Sequence, residues 1–547
     1  MVILITLNLF ATIPVSQNPW WQSGPQTYNY ENVLVDIDRD GDLDLIQGNE
    51  VWHPLYMYTN TGNGLEEYPS WSSTLAEGST ALTAGDIDND GYPDVIVGTT
   101  QGPIRIYKNL NGILEDTPSW SSNPNGFGAM EIELADIDCN GFLDIVYTDL
   151  VFGVAVYYNY GGSISPDPAW TGAAEYYNSC SAIGDIDDDG YLDMAVGTNS
   201  VGYMEQVRIY RNINGVFEDN PSYTISDNFA PMGMVFADVD NDGDLDLVRG
   251  NGGPGYPNLS WPACVHRNNN GVIESTPLWI STDATYTMKI CLADFNADGY
   301  LDIAKAVYDN TEQANGVYEN FNGTFGYYPA WESSDYMLSW GAIAGDIDRD
   351  GLVIATDTLY GNGSRKLFYL HHNLIPLYSL ISVTINNDTV PVSEYCFNLE
   401  HAWISFTNAP DSNSVILVHF VFSTYNELIV GNVGTGTAIY HNQGASVTEN
   451  KYQTQGVWVK CTPNPFFQQT TIIFNSPNIG VYSARFRIYD ALGRMVWSIN
   501  PNLSASGVNK IVWNGKDNQG NDLCHGIYFY ELRMADITAK GKIVKLK

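Results

Sequence analysis

Basic residues are scarce in this chain. Its 24 Lys and Arg stand against 63 Asp and Glu over 547 residues, a net charge of −39. That balance argues against a basic patch for nucleic acid or anionic membranes. Histidine is rarer still, at eight. No His-Glu-x-x-His, Gly-x-Ser-x-Gly or phosphate loop occurs, so the common hydrolase and nucleotide signatures are missing. The seven cysteines, Cys139, Cys180, Cys264, Cys291, Cys396, Cys461 and Cys524, form no Cys-x-x-Cys pair. Zinc and dithiol motifs are thereby excluded, and mostly buried, inert thiols are expected, with one or two disulfides open to an exported protein. Long apolar runs are lacking too. The run from Val2 to Phe10 is too short to cross a bilayer as a helix. Small and polar residues follow it, and it reads as a signal peptide over 1–17, although the usual basic start is missing; a buried strand is the competing reading.

What is abundant is acid, glycine and aromatic side chain, and the acid is unevenly spread. Residues 451–547 hold 12 Lys/Arg against 5 Asp/Glu, leaving 12 against 58 in residues 1–450, so net charge changes from −46 to +7 near residue 450. This marks a domain boundary. With 51 Gly, 13% aromatics and short alternating apolar runs such as Ile104-Arg-Ile-Tyr107, the chain reads as all-β.

The acid has a repeating form. Asp36-Ile-Asp-Arg-Asp-Gly-Asp-Leu-Asp44 spaces its oxygens so that Asp36, Asp38 and Asp40 converge on one hard cation, Gly41 allows the tight turn, Asp42 offers its carbonyl and Asp44 closes the shell. The same spacing recurs at Asp86, Asp88, Asp90 and Asp94; Asp136, Asp138, Asn140 and Asp144; Asp185, Asp187, Asp189 and Asp193; Asp238, Asp240, Asp242 and Asp246; Asp294, Asn296, Asp298 and Asp302; and Asp346, Asp348 and Asp350. Gaps between first aspartates are 50, 50, 49, 53, 56 and 52 residues, a propeller-blade period. A Pro-x-aromatic triplet ending at Trp21, Trp71, Trp120, Trp170, Tyr223, Trp279 and Trp331 keeps the same phase. Each unit then holds four strand-sized pieces, the last ending in Tyr-x-Asn, as at Tyr107-Lys-Asn109. Because the chain opens on the Pro-x-Trp piece, Trp21 is expected to close the ring as the outer strand of the final blade. Pro376-Leu-Tyr378, Glu427 to Asn432 and Ala438 to Asn442 suggest a degenerate eighth unit with a β insertion at about 380–412. The expectation is an eight-bladed propeller over 18–442, with seven blades the alternative.

Residues 30–360 resemble FG-GAP/VCBS repeat propellers of the integrin α-chain type, with Asp86-Ile-Asp-Asn-Asp-Gly-Tyr-Pro-Asp94 as a full example. The resemblance implies up to seven structural Ca2+ ions. Asn140 and Asn296 each remove one charge, and the seventh loop, Asp346 to Ile354, lacks its final aspartate, so those three sites are expected to be weaker. Uniform repetition favours scaffolding over catalysis.

A polar linker over 443–457 leads to a basic β domain at 458–547. Its Pro463-Asn-Pro-Phe466, Trp513-Asn-Gly-Lys-Asp-Asn-Gln-Gly520 and Gly526-Ile-Tyr-Phe-Tyr530 pieces resemble type IX secretion sorting domains and the immunoglobulin-like β-sandwich of flagellar hook-capping proteins. The former implies export through that machinery to a secreted or surface location. The latter implies a plain sandwich.

Ligand-face candidates lie on the side opposite the Asp loops: Trp52, His53, Tyr203, Tyr256, Trp261, Tyr308 and Tyr360, flat rings suited to glycan or protein. A calcium-stabilised binding or adhesion propeller is the leading expectation. A polysaccharide lyase, with its base among Lys108, Lys289, Lys305, Lys366, the histidines and the tyrosines, and a passive surface element are the alternatives.

Overall fold

The computed structural model describes residues 13–443, except 25–26, 51, 63, 101, 124–127, 152, 173–177, 199–205, 228, 253–260, 309–312 and 371–374. Beyond the linker it describes 459–462, 466, 469–476, 484–489, 494–499, 501, 507–523, 525–534 and 537–545. The chain divides into two compact units, Met1–Gly444 and Ala445–Lys547. Most of the expected leader and nearly all of the expected linker lie outside the described residues. Ile13 and Val15 are buried, Val15 bridges Asn442, and the Ser16 amide donates to the His441 carbonyl at 2.8 Å.

The first unit builds seven four-stranded antiparallel sheets of blade type among the described residues. Blade one consists of Asn29–Val35, Asp44–Asn49, Tyr56–Tyr58 and Trp71–Ser72. Blades two to six repeat this order from Ser79, Ala129, Asn178, Ala230 and Thr287. In each, an Asp loop joins the first strand to the second. The seventh sheet pairs Ser339–Gly345 with Glu427–Asn432, that with Gly436–Tyr440, and that with Trp21–Gln22 from the start of the chain. Trp21 lies opposite Ile439. The ring is thus closed by mixed termini, as the strand phase implied.

The blade number is seven, not the favoured eight. The strands at 427–432 and 436–440 are not an eighth unit. They are the second and third strands of blade seven, separated from its first strand by an insertion within its Asp loop. That insertion is also longer than the expected 380–412: it runs from Leu352 to Asn426 and folds into two sheets. Leu352–Tyr360 pairs with Val415–Ser423, which pairs with Leu377–Ile385 and its short partner Asp388–Thr389; Leu367–Tyr369, Trp403–Phe406 and Tyr395–Asn398 form the second. Pro376-Leu-Tyr378 therefore opens an inserted strand and is no outer blade strand. Phe368, Val383, Tyr395, Ile404, Phe406, Ile416 and Phe420 share one buried core in this module. A surface loop whose ends stay close tolerates such an excursion, because closure entropy grows slowly with length.

Two short motifs seal blade to blade. At six of the seven junctions the tryptophan of the outer strand meets edge-on the tyrosine of the next blade's third strand, as with Trp71 and Tyr107 at 6.0 Å, Trp279 and Tyr318 at 5.1 Å, and, across the closure, Trp21 and Tyr58 at 5.2 Å; between blades four and five the positions hold Tyr223 and His266. The asparagine two residues later donates its Nδ2 to the second-position carbonyl of the preceding blade's Asp loop. Asn109 reaches Ile37 at 2.8 Å, Asn159 reaches Ile87 at 2.6 Å, Asn442 reaches Phe295 at 3.0 Å and Asn60 reaches Ile347 at 2.7 Å. Asn212, Asn268 and Asn320 do the same toward Ile137, Ile186 and Val239.

The second unit has two sheets. One contains Val459–Thr462, Thr470–Ser476 and Gly507–Trp513; the other contains Met495–Ile499, Ala484–Tyr489, Gly526–Met534 and Ile537–Lys545. Phe466, Phe474, Phe486, Ile488, Trp513, Tyr528, Tyr530 and Leu532 form its core. It matches the expected small sandwich.

Candidate metal centres

Each Asp loop is held by its own backbone. The first aspartate accepts the amide of the loop glycine: Asp36 from Gly41 at 3.0 Å, Asp86 from Gly91 at 2.7 Å, Asp136 from Gly141 at 2.8 Å and Asp294 from Gly299 at 2.8 Å. In the first six loops that glycine has φ between 88° and 100°, where a side chain is strained. The last aspartate fixes the far end. Asp44 accepts Ile37 N at 3.1 Å and Asn60 N at 2.8 Å, and Asp144 accepts Ile137 N at 2.9 Å and Asn159 N at 2.7 Å.

Side-chain oxygens remain after this bonding. Asp36 Oδ1, Asp88 Oδ1, Asp240 Oδ1, Asp246 Oδ2 and Asn296 Oδ1 are buried with no hydrogen-bond partner. One oxygen from each of Asp36, Asp38 and Asp40 lies within 4.8 Å of the others, as do those of Asp86, Asp88 and Asp90 and of Asp136, Asp138 and Asp144. Burial, then neighbouring aspartates, push Asp44 up to about 7. Burial likewise raises Asp86 and Asp136 to about 6 and Asp246 to about 7. Orphaned buried oxygens are what a hard divalent cation would satisfy, so the residues fit one.

The seventh loop is complete, contrary to the reading that its final acid is lost. Glu427 Oε2 accepts Ile347 N at 2.8 Å and Oε1 accepts Asn442 N at 3.3 Å, the two bonds that the last aspartate makes elsewhere. His441 Nε2 lies 2.7 Å from Asp348 Oδ2. Neither residue stands at the expected sequence spacing, because the insertion displaces one and the blade-end strand supplies the other.

The inserted module rests on these loops. Tyr378 Oη donates to Gly41 O at 2.8 Å, Arg365 binds Asp185 at 3.0 Å and Asp188 at 2.6 Å, and Lys366 Nζ donates to Cys139 O at 2.8 Å. It thereby covers one end of the central channel. Behind it lies a cavity of about 700 Å³ between the first strands, lined by Glu31, Glu131, Glu133, Lys289 and the module's Glu400 and His401. Lys289 Nζ bridges blades, 2.6 Å from Glu131 and 3.2 Å from Glu31. Ser181 Oγ donates to Glu133 at 3.0 Å. At the other end of the channel Met130, Met232, Met288, Tyr286, Tyr308 and Trp340 pack together, with Tyr30 4.9 Å from Trp340. No sequence pattern announced this acidic channel, since its members are scattered over blades one, three and six and the inserted module.

Among the described residues the ligand-face candidates do not converge. Tyr308 belongs to the channel plug, 5.4 Å from Trp340; Trp261 packs on Phe229 at 5.4 Å; Trp52 is 84% exposed with φ of 79°, and His53 is partly buried nearby. Tyr360 is not on that face at all: it ends the first inserted strand. Tyr203 and Tyr256 lie outside the described residues. The lysines suited to a lyase are engaged: Lys108 with Asp88 and Asp94, Lys289 with Glu131, Lys305 with Asp283, Lys366 with backbone carbonyls. A buried cluster in blade five sets His266 Nε2 3.2 Å from Asp227 and 3.7 Å from Cys264 Sγ. Arg249, wholly buried, also pairs with Asp227 and lies 3.3 Å from that sulfur. Its guanidinium supplies the positive charge that a metal would bring there.

A family model described as FG-GAP-like repeat matches residues 36–97, 86–147 and 185–248. The blades contain FG-GAP-like repeats. These FG-GAP-like segments each run from one Asp loop through the strands that follow it to the strand after the next Asp loop. The FlgD Ig-like domain model matches residues 465–537, in the second unit. Among curated proteins none matches the chain. Among solved structures, the chain is similar to BBS1N from a crystal of its complex with ARL6DN, at 12% identity and TM-score 0.40 over 62% of this chain and 90% of that one. It is also similar to a chain from a structure of ctPRC2, at 9% identity and TM-score 0.37 over 54% and 66%.

Proposed function

We propose that this chain is a calcium-stabilised binding propeller, exported to the cell surface or medium and engaging glycan or protein there. The observation that carries the metal reading is the set of buried, unpartnered oxygens in the Asp loops. Calcium suits an all-oxygen donor set on flexible loops. The loops sit one per blade and anchor both ring and module, a fastener's distribution. The second unit, as a sorting domain, would direct export through the type IX machinery. No helix among the described residues is long and apolar enough to cross a membrane.

Two experiments test this. Removing divalent ions lowers the melting temperature by many degrees and calcium restores it, because the ion binds only the folded state; an unchanged melt refutes the metal reading. A glycan and matrix-protein array with calcium present identifies the ligand class, and release of unsaturated products from uronic-acid polymers would replace binding by lyase activity. For export, deletion of 458–547 leaves the protein in the periplasm, and normal secretion without it refutes the sorting role.

A further inference from the structure

The residue just before each blade's closing asparagine varies around the ring, and in five of the seven blades its side chain bonds to that blade's Asp loop. In order it is Thr59, Lys108, Tyr158, Arg211, Arg267, Glu319 and His441. Lys108 Nζ lies 2.8 Å from Asp88 and 2.9 Å from Asp94. Arg211 Nη1 lies 3.1 Å from Asp187 and 2.6 Å from Asp193, and Arg267 Nη2 lies 2.6 Å from Asp240 and 3.1 Å from Asp242. Glu319 has the opposite sign: its Oε1 accepts Asn296 Nδ2 at 3.3 Å. Thr59 turns to Ser70 and Tyr158 to Gly215, adding no charge.

We propose that this position sets the divalent-cation affinity of each blade. Glu319 restores the charge lost at Asn296, while Lys108, Arg211 and Arg267 weaken loops that look fully acidic. The inference rests on the calcium reading above and reverses the order given by counting acids along each loop. Blade six has three aspartates plus Glu319, and Asn296, 2% exposed, keeps its Oδ1 without a partner. That oxygen and the Glu319 carboxylate together reproduce the donor count and charge of an intact loop. Blade one keeps Asp36, Asp38, Asp40 and Asp44 with no cation from this position. Blade seven has three aspartates plus Glu427, with His441 Nε2 already 2.7 Å from Asp348. In blades two, four and five an incoming ion meets a resident cation already bonded to its ligands, and that cation must be displaced or repels it. A unit charge a few ångströms from a partly buried site is worth about tenfold or more in affinity.

Calcium titration of the ion-free full chain, followed by calorimetry and by ion counting in native mass spectrometry, tests this. Wild type shows a tight class that includes blades one and six, and a weaker class. Glu319→Gln, an isosteric change, moves one ion out of the tight class with about a tenfold loss of affinity. Asn296→Asp in that background brings it back. Lys108→Thr, which installs the residue of blade one, moves one ion into the tight class, a gain that misfolding cannot imitate. Unchanged stoichiometry and affinity in Glu319→Gln and Lys108→Thr overturn this inference alone. A wild type that binds no calcium overturns the metal reading as well.

Discussion

The Glu427 carboxylate accepts the Ile347 amide at 2.8 Å across 80 residues of chain. A whole β module has been spliced into one Asp loop without breaking it. Both Glu427 oxygens carry backbone amides in a fully buried setting, so truncation leaves Ile347 N and Asn442 N unpaired. Glu427→Ala is expected to cost about 2–4 kcal/mol in urea unfolding, one desolvated donor at a time. It should also speed proteolysis within 352–426 relative to the rest of the ring. Wild-type stability and cleavage would show that the module is held by its other contacts.

The asparagine latches make a sharper test of the ring. Asn159 donates to Ile87 O at 2.6 Å in the preceding blade and to Leu143 O at 3.0 Å in its own, and it accepts Gly162 N at 2.8 Å. Asn159→Ala strands all three and is expected to lower stability by about 3 kcal/mol. A second latch removed from a distant blade should add nearly the same again. A loss below about 0.5 kcal/mol for Asn159→Ala would demote the latch to a surface contact.

Much of this was legible in the sequence, and the reasons for the rest are physical. Period, strand order and ring closure follow from Asp-x-Asp-x-Asp-Gly and Pro-x-Trp, local motifs that need no partner to be recognised. The blade count failed at Pro376-Leu-Tyr378, a chance copy of the outer-strand triplet inside the inserted module. The acid of the seventh loop was missed because loop spacing is a covalent quantity, whereas Glu427 returns through space. Lys289, Glu31 and Glu131 meet across a channel from three blades, and no linear pattern encodes such a meeting.

Ion-free protein should lose stability as pH rises, and calcium should abolish that loss. Burial raises Asp44, Asp185, Asp193 and Asp246 to about 7, and Asp86, Asp94 and Asp136 to about 6, from an ordinary 3.8. A raised folded-state value means that the proton is held more tightly when folded. The associated stability is present in full below pH about 4 and is lost as pH climbs through 6 to 7. A bound cation needs the ionised form, so it offsets that loss. The gap in melting temperature between calcium-loaded and ion-free protein is therefore small near pH 5 and wide near pH 8. A gap of constant width would sink the link between the raised values and the ion.

With calcium present throughout, the channel adds a pH dependence of its own. Burial, then Glu131, lifts Glu133 to about 8, and burial lifts Glu31 to about 7 despite Lys289. Lys289 is shared by two carboxylates already, so an ionised Glu133 has no full counter-charge in the cavity; its remaining contacts are Ser181 and, 4.0 Å away, His401. Its stabilising protonated form is lost as pH rises toward 8. Glu133→Gln keeps the acceptor for Ser181 and removes the titration. The variant should match wild type near pH 5, exceed it near pH 8.5 and give a flatter curve of melting temperature against pH. Parallel curves would mean that water or an ion already neutralises Glu133 inside the channel. Higher stability only at alkaline pH would establish the channel as an acidic chamber kept protonated by its own closure.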